Sequence, residues 1–286
     1  MMIQDALQTA SAKLKQFNIE YPIMEAQILL AYVLDADRLY LHVHGKDLLT
    51  AQQQQSYQQL TEARCKKTPI AYLTHSKEFM SLNFYVDERV LIPRPDTEIL
   101  AEEAIRIASD IDSPGVLDLC CGSGCIGLSV AYNVPKLHAV LSDISEDALN
   151  IARINTDRLH LNDRIELIRS DLFEVVDKRQ FHLIVSNPPY ITDEAMHSLS
   201  EEILMHEPQS ALRGGMDGLQ FYRDIIAQAS QYLTSPGYLL LEIGYDQAAA
   251  VQKIMHQHGY TEIRVLHDYA GHDRVVCGKY FAHNQC

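Results

Sequence analysis

The sequence lacks the features that mark several common classes of protein. Its six cysteines show no C-x-x-C pair and no histidine tail, so neither a zinc site nor a haem attachment site is indicated. No apolar run is long enough to cross a bilayer, and the first residues have neither a basic start nor a continuous apolar stretch. We therefore predict a cytoplasmic protein with buried free thiols, no metal and no membrane anchor.

Positive charge is also scarce in the larger part of the chain. Residues 1–90 carry 9 Lys/Arg against 10 Asp/Glu, whereas residues 91–286 carry 15 against 28. Because non-specific nucleic-acid affinity comes from Lys and Arg displacing counterions, this balance argues against stable nucleic-acid binding. A protein partner is the better prediction. The 286 residues, 47% of them hydrophobic, suffice for one large domain and a smaller one.

The spacing of apolar residues changes along the chain. Over residues 1–74 the spacing is helical and predicts a small helical domain. Alternation then begins near Pro69 and predicts a β-hairpin, which we place as a linker at 75–95. Asp96 or Thr97 can cap a helix that follows the linker.

Strands and helices alternate through the remaining domain, 96–286. Strands are expected at 115–120, 137–142, 164–168, 181–186, 237–243, 261–268 and 274–281. Helices are expected at 124–133, 146–159, 217–233 and 246–258. Such alternation predicts an α/β fold with a parallel sheet covered by helices on both faces.

A glycine-rich turn follows the first of these strands, at the position where open α/β sheets bind nucleotides. Gly122 and Gly124 permit close backbone approach, and Asp118 is expected at the mouth of the turn. Two more aspartates close the second and third strands. The candidate cofactor-binding residues are therefore Asp118, Cys120, Cys121, Gly122, Ser123, Gly124, Asp143, Asp171 and, from the segment described below, Asn187.

The glycine spacing leaves two cofactor classes open. Gly122, Gly124 and Gly127 also satisfy the dinucleotide pattern of NAD enzymes. A carboxylate at Asp118 would oppose a pyrophosphate, but it suits the positive amino group and sulfonium of S-adenosyl-L-methionine. Asp143 can accept hydrogen bonds from both ribose hydroxyls, and Asp171 could reach an adenine amino group. The sequence therefore favours S-adenosyl-L-methionine.

The tetrapeptide Asn187-Pro188-Pro189-Tyr190 directly follows the apolar strand at 181–186. Both prolines stiffen the backbone, so the Asn187 side-chain oxygen and the Pro188 carbonyl can accept the two hydrogens of a planar NH2 group. Tyr190 can pack on the plane of that group. The pattern predicts a grip for an amide or an aromatic amine, and a strand end followed by a proline turn is the structural alternative.

Four segments resemble the glutamine N5-methyltransferases of peptide-chain release factors, the PrmC/HemK family. They are 92–98, 118–124, 187–190 and 268–275, and the likeness covers nearly the whole chain. The resemblance implies a seven-stranded Rossmann-like class I methyltransferase domain, preceded by a helical substrate-recognition domain and a β-hairpin linker. It also implies methylation, with S-adenosyl-L-methionine, of the glutamine in the Gly-Gly-Gln motif of class 1 release factors.

The chain departs from the family pattern at two places. Cys120-Cys121 stands where the family usually has Gly-Thr, and Leu172 matches a position where an aromatic ring can stack on adenine. We expect apolar packing by Leu172 to replace that stacking.

Three alternatives remain at this level. Adenine-N6 methyltransferases use a similar Asn-Pro-Pro-aromatic grip, but the acidic balance of this chain argues against a nucleic-acid substrate. Glutamine methyltransferases of a large-subunit ribosomal protein lack the Pro-Asp-Thr-Glu continuation found at 95–98. A non-catalytic binding module would not need the intact grip at Asn187.

Overall fold

The computed structural model describes residues 1–176 and 179–282. The chain divides into two compact units. The first consists of Met1–Ser76 together with Ser200–His206, and the second of Lys77–Leu199 and the chain from Glu207 onward. Two features were not anticipated from the sequence: the hairpin groups with the second unit, and Ser200–His206 groups with the first.

The N-terminal unit is helical. Its consecutive helices are α1 (Ile3–Gln16), α2 (Pro22–Leu34), α3 (Arg38–Val43), α4 (Ala51–Cys65) and α5 (Ile70–Thr74). A capping box begins α4, because the Thr50 hydroxyl accepts from the Gln53 N–H while the Gln53 side chain accepts from the Thr50 N–H. Leu14, Leu29 and Leu30 are fully buried in the core of this unit. Apolar burial therefore holds the helices together.

The predicted hairpin is present but shorter than expected. Strands β1 (Lys77–Phe79) and β2 (Leu82–Phe84) pair antiparallel. The alternation that begins near Pro69 does not mark a strand there, since residues 70–74 form α5. Phe79 and Phe84 are buried in the core of the second unit.

A mixed seven-stranded sheet forms the centre of the second unit. Its strands are β3 (Gly115–Leu119), β4 (His138–Asp143), β5 (Ile165–Arg169), β6 (Phe181–Ser186), β7 (Leu233–Glu242), β8 (Thr261–His267) and β9 (Asp273–Tyr280). The spatial order is β5-β4-β3-β6-β7-β9-β8. All pairs are parallel except those of β9, which runs antiparallel to β7 and β8. The predicted seven-stranded α/β sheet is therefore present, and its last strand adds antiparallel pairing to the parallel part.

Helices cover this sheet on both faces. They are α6 (Glu98–Ser109), α7 (Cys125–Asn133), α8 (Glu146–Arg158), α10 (Gln220–Ala229) and α11 (Ala248–Gln257), while α9 (Glu201–His206) lies in the segment assigned to the first unit. The helix expected at 217–233 is shorter because β7 already begins at Leu233. No helix within residues 1–176 and 179–282 has the length and apolarity to span a membrane.

Neighbouring residues of the central strands enter different parts of the core. Val116 and Val185 belong to a buried cluster that includes Leu100 of α6, whereas Leu117 belongs to a second cluster that includes Ile225 of α10. Successive strand side chains point to opposite faces of a sheet, so a strand buried on both faces is apolar throughout. Polar residues are consequently displaced to the strand ends, where the site forms.

Candidate active site

A cavity of about 840 Å³ lies at the carboxyl ends of the central parallel strands. Small-molecule sites typically occupy about 300–1,000 Å³. Of the residues predicted for the site, the cavity is lined by Cys120, Cys121, Gly122, Ser123, Asp143, Asp171, Leu172, Asn187 and Pro189. Asp118, Gly124, Pro188 and Tyr190 lie outside this lining. The glycine turn and the Asn-Pro-Pro-Tyr segment thus border one cavity.

The glycine turn owes its shape to three residues in the left-handed backbone region. These are Cys120, Gly122 and Gly124, with φ angles of 57°, 54° and 79°. A Cβ at Gly124 would lie 3.0 Å from Leu128, so both the backbone angle and the packing require glycine there. Cys120 adopts the conformation that the usual glycine would adopt, at a cost of about 1–2 kcal/mol for a residue with a side chain.

Asp118 lies beneath this turn. It is completely buried, and its Oδ2 accepts a hydrogen bond from the Gly127 N–H at 2.9 Å. Its Oδ1 has no partner among the described residues. Burial raises the pKa of Asp118 to about 7, against the opposing effect of the Gly127 N–H. The expectation that Asp118 stands at the mouth of the turn is wrong, because its side chain faces the start of α7.

Asp143 ties the end of β4 to the turn. Its Oδ2 accepts from the Gly122 N–H and its Oδ1 from the Ser145 N–H, each at 2.9 Å. Burial raises the pKa of Asp143, while hydrogen bonds from backbone N–H groups oppose the shift. Each oxygen keeps a second lone pair that can accept from a ligand. Asp171 is exposed beside it on the cavity wall, followed by Leu172 at a φ of 46°.

Asn155 supports the turn from α8 and was not predicted. It is 1% exposed, and its Nδ2 donates to the Ser123 carbonyl at 2.9 Å and to the Tyr85 carbonyl at 3.0 Å. Its Oδ1 accepts from the Tyr85 N–H at 2.7 Å. Asn155 therefore joins the turn to the segment that follows the hairpin. An asparagine among the apolar positions of the buried face of α8 was the sequence signal that could have indicated this role.

The side chain of Asn187 is held through its amino group. Its Nδ2 donates to the Thr97 hydroxyl at 3.4 Å, and no described residue donates a hydrogen bond to its Oδ1. Thr97 precedes α6 without making a side-chain cap, so the predicted capping role of Asp96 or Thr97 is wrong. The Thr97 hydroxyl contacts Asn187 instead. Other atoms of Thr97 contribute to the cavity lining.

Gln247 fixes the backbone after the two prolines. Its Nε2 donates to the carbonyls of Tyr190 and Gly218, each at 3.2 Å. Its Oε1 accepts from the Gly244 N–H at 2.9 Å and from the Tyr222 hydroxyl at 3.2 Å. Two donors and two acceptor positions of this buried amide are thereby satisfied. No signal in the sequence connected Gln247 with the grip.

Glu242, the last residue of β7, is the second buried carboxylate of this region. It is 2% exposed, and its Oε2 has no hydrogen-bond partner among the described residues. Burial raises its pKa to about 7, while hydrogen bonding from Thr97, the charge of Arg274 and hydrogen bonding from Asn187 oppose the shift. A glutamate directly after the apolar run 238–241 was the signal that the sequence offered.

Arginines at the ends of the family-like segments are paired with carboxylates. Arg274 contacts Asp268 at 2.9 Å and Asp96 at 3.1 Å. Arg94 forms an ion pair with the buried Glu207. The ion pair holds the Arg94 side chain against a buried carboxylate, which indicates a structural role for this arginine.

The charged residues that line the cavity are mostly acidic. Two arginines, Arg89 and Arg213, face five carboxylates, Glu88, Asp143, Asp147, Asp171 and Asp224. An excess of carboxylates attracts a cationic ligand and repels a pyrophosphate. The lining therefore favours a sulfonium cofactor over a dinucleotide.

The cysteines of the turn are neutral thiols. Burial raises the pKa of Cys120, Cys121 and Cys125, which disfavours the reactive thiolate. Cys65, Cys277 and these three form no disulfide, while Cys286 lies outside the described residues. Within the described part of the chain, no cluster of three or more His, Cys, Asp or Glu could hold a metal ion.

The strand order, the antiparallel final strand and the cavity at the strand ends define a class I methyltransferase. Residues 97–218 match the methyltransferase small domain, and residues 5–74 match the PrmC N-terminal domain. The chain belongs to the release factor glutamine methyltransferase family, as the following identities show.

A release factor glutamine methyltransferase of Clostridium acetobutylicum is 40% identical over 278 residues, which cover 96% of this chain and 98% of the relative. One from Thermodesulfovibrio yellowstonii is 39% identical, over 91% of this chain and 93% of the relative. A methyltransferase structure from Pyrococcus furiosus, at 15% identity, covers 70% of this chain and 90% of that one with a TM-score of 0.51. This last likeness concerns the fold alone. The predicted family and fold class are confirmed.

Proposed function

We propose that this protein transfers a methyl group from S-adenosyl-L-methionine to the N5 amide nitrogen of a glutamine. The proposed substrate is the glutamine of the Gly-Gly-Gln motif in class 1 peptide-chain release factors, which act in translation termination. The observation that carries the proposal is the position of Asn187. Its side chain borders the same cavity as the glycine turn, with Nδ2 engaged by Thr97 and Oδ1 free to accept.

The residues around the turn fit the proposed cofactor. S-adenosyl-L-methionine supplies an electrophilic methyl carbon when bound. Gly122 and Ser123 would lie against it through the backbone, Asp143 and Asp171 would accept its hydroxyl and amino hydrogens, and Leu172 would pack on its base. Asp118 would act indirectly, by holding the Gly127 N–H and thereby the start of α7.

The grip would then position a weak nucleophile. An amide nitrogen reacts poorly because its lone pair is delocalised, so alignment with the methyl donor matters; positioning can supply up to about 7–11 kcal/mol in favourable systems. Asn187 Oδ1 and the Pro188 carbonyl accept the two amide hydrogens, and Tyr190 packs on the amide plane. Carbonyl dipoles stabilise the positive charge that develops on nitrogen. Methyl transfer breaks the C–S bond and leaves two protons and a positive charge on the amide nitrogen. This cation is acidic enough for water to accept one proton, so no strong base is required.

Asn187→Ala is the direct test. We expect methylation of a release factor to fall by about 100-fold or more, because one acceptor of the grip is lost. Cofactor binding, measured by calorimetry, should stay within about threefold, since the glycine turn is unchanged. Near-normal turnover by this variant would rule out the role of Asn187.

The substrate class is tested separately. The protein is incubated with labelled cofactor and, in parallel, with a release factor, a ribosomal protein fraction and unmethylated DNA. We expect label on the release factor. Label on a ribosomal protein or on DNA instead would replace the proposed substrate by one of the two alternatives.

We also propose that the helical unit recognises the protein partner. Several of its large apolar side chains are well exposed, among them Ile23, Leu39, Val43 and Leu48 at 66%, 68%, 72% and 75%. Large exposed apolar side chains are typical of contact surfaces. The double variant Leu39→Glu/Val43→Glu should raise KM for the full-length partner and leave that for a short Gly-Gly-Gln peptide unchanged. Equal KM values for wild type and variant on the full-length partner would remove this proposal.

A further inference from the structure

The proposed grip works only if the Asn187 amide faces one way. Rotation of the amide by 180° would exchange Oδ1 and Nδ2, and a donor would then face the two amide hydrogens of the substrate. The two orientations have the same shape, so packing alone does not distinguish them. The orientation of the Asn187 amide must therefore be set by the hydrogen bonds that it makes on the side away from the cavity.

That side is occupied by Thr97 and Glu242. The Thr97 hydroxyl lies 3.4 Å from Asn187 Nδ2 and is 2% exposed. Glu242 is equally buried, and it follows Leu241, which pairs with Ser186, so it is the cross-strand neighbour of Asn187 at the ends of β6 and β7. Hydrogen bonding from Thr97 and Asn187 opposes the rise of its pKa. These three residues come from the start of α6, the end of β6 and the end of β7, which the sheet brings together.

We propose that Glu242 is a positioning residue that fixes the orientation of the Asn187 amide through the Thr97 hydroxyl. This inference rests on the proposed function and adds to it the residue that sets the polarity of the grip. Above its pKa of about 7, the Glu242 carboxylate is ionised and can only accept hydrogen bonds. The Thr97 proton therefore points to Glu242, and the lone pairs of the hydroxyl face Asn187. Only the Nδ2 side of the amide satisfies those lone pairs, which leaves Oδ1 towards the cavity.

The surroundings of Glu242 are consistent with this role. Its buried Oε2 lacks a described partner, so the carboxylate is not used for stability in the way that a paired glutamate is. The charged and titratable groups that act on it include Arg274, Asp96, Tyr190, Tyr222 and Cys125. Arg274 is itself paired with Asp268 and Asp96. Its positive charge favours the ionised form of Glu242 without displacing Thr97.

Glu242→Gln tests the inference. A glutamine of the same shape can both donate and accept, so it no longer forces the Thr97 proton in one direction. We expect kcat for release-factor methylation to fall about 10- to 100-fold, as for the loss of one charge-assisted hydrogen bond. Cofactor affinity should remain within about threefold. The melting temperature should stay the same or rise, since an unpaired buried charge is removed.

Glu103→Gln is the matched control. Glu103 is a buried glutamate with two partners, Arg106 at 2.7 Å and Arg264 at 2.6 Å, and it does not line the cavity. Its replacement should lower the melting temperature and leave kcat unchanged. We therefore expect Glu242→Gln to lower kcat without lowering the melting temperature, and Glu103→Gln to lower the melting temperature without lowering kcat. A normal kcat for Glu242→Gln, or a loss of kcat that only tracks lost stability, would overturn the inference.

Thr97 provides the second arm of the test. Thr97→Val removes the hydroxyl at nearly constant volume, and we expect a loss of kcat similar to that of Glu242→Gln. Thr97→Ser keeps the hydroxyl and should recover most of the activity lost in Thr97→Val. If Ser and Val behave alike, the hydroxyl does not transmit the orientation.

A readout without turnover separates this inference from the proposed function. In protein labelled with ¹⁵N-asparagine, the side-chain amide signal of Asn187 can be assigned by its loss in Asn187→Asp. We expect one sharp pair of signals in the wild type and shifted or exchange-broadened signals in Glu242→Gln. An unchanged signal would refute the positioning role. A wild-type enzyme that leaves release factors unmethylated would instead refute the proposed function.

Discussion

The two units differ in one respect: among the described residues, buried carboxylates with an unpartnered oxygen occur in the second unit and not in the first. In the N-terminal unit, the buried Glu25 and Arg64 form an ion pair, and Arg64 also contacts Glu202 at 2.7 Å. In the second unit, Asp118 and Glu242 are 0% and 2% exposed, yet each has a carboxylate oxygen without a described partner. Unpaired buried carboxylates destabilise a fold, and shifted pKa values cluster at functional sites. The contrast separates paired buried charges from the unpaired ones that we propose serve the site.

Removing one member of the paired set should have the largest effect on stability. Arg64→Met leaves Glu25 buried without its partner, and we expect a loss of about 3–5 kcal/mol in the free energy of unfolding. Denaturant unfolding measures it. In the double variant Glu25→Met/Arg64→Met most of that loss should be recovered, because no buried charge remains. If the single and double variants lose the same free energy of unfolding, the loss comes from packing and not from an unpaired buried charge. The comparison between the two units would then not hold.

A buried but neutral group near the grip should have the next largest effect. Gln247→Ala leaves the carbonyls of Tyr190 and Gly218 and the Gly244 N–H without their partner, at a cost of about 2–4 kcal/mol. Methylation should fall as well, because the Tyr190 backbone is released. Gln58→Ala, in an exposed position of α4, is the control with an expected change below about 0.5 kcal/mol. Equal stability of Gln247→Ala and Gln58→Ala would contradict the role of Gln247 in holding the Tyr190 backbone.

The unpaired carboxylates should make stability depend on pH. Burial raises the pKa of both Asp118 and Glu242 to about 7. A raised carboxyl pKa means that stability is fully present below the pKa of the unfolded chain, near 4, and is lost as pH rises through about 7. Asp118→Asn keeps the acceptor for Gly127 and removes the charge, so it should be about 1–3 kcal/mol more stable than wild type at pH 8.

The same substitution should make little difference at pH 4.5, where the wild-type carboxyl is protonated. Melting temperatures of wild type and Asp118→Asn across pH 4.5–8 measure this. A constant difference between the two proteins at all pH values would show that Asp118 does not titrate in this range.

Backbone strain at the turn gives the smallest expected effect. Cys120 has a φ of 57°, which glycine adopts freely. Cys120→Gly should therefore change the free energy of unfolding by no more than about 1 kcal/mol in either direction, since the relief of strain is offset by the greater freedom of the unfolded chain. Gly124→Ala, which would bring a Cβ to 3.0 Å from Leu128, should be clearly more destabilising. If Cys120→Gly were more destabilising than Gly124→Ala, the left-handed backbone angles of the turn would not determine which residues are tolerated there.

Local patterns were sufficient for the elements and for the two borders of the cavity. The alternation of apolar runs predicted all seven strands of the sheet to within a few residues, and the glycines and the Asn187 tetrapeptide predicted the two segments that border the cavity. The role of the tetrapeptide as a grip stays a prediction. Such signals lie within a few neighbouring residues, because strand and helix periodicity and turn chemistry are local properties of the chain. The short helices α3, α5 and α9 were missed, since they span too few residues to show a period.

What the sequence determined by itself was the class of fold, the glycine turn and the Asn-Pro-Pro-Tyr segment. Only the tertiary structure decided that Asp118 lies beneath the turn, that Thr97 contacts Asn187 rather than capping a helix, and that Gln247 holds the Tyr190 backbone. Thr97 and Asn187 are 90 positions apart, and Tyr190 and Gln247 are 57 apart. Their proximity follows from the order of strands in the sheet, which no local pattern of residues specifies.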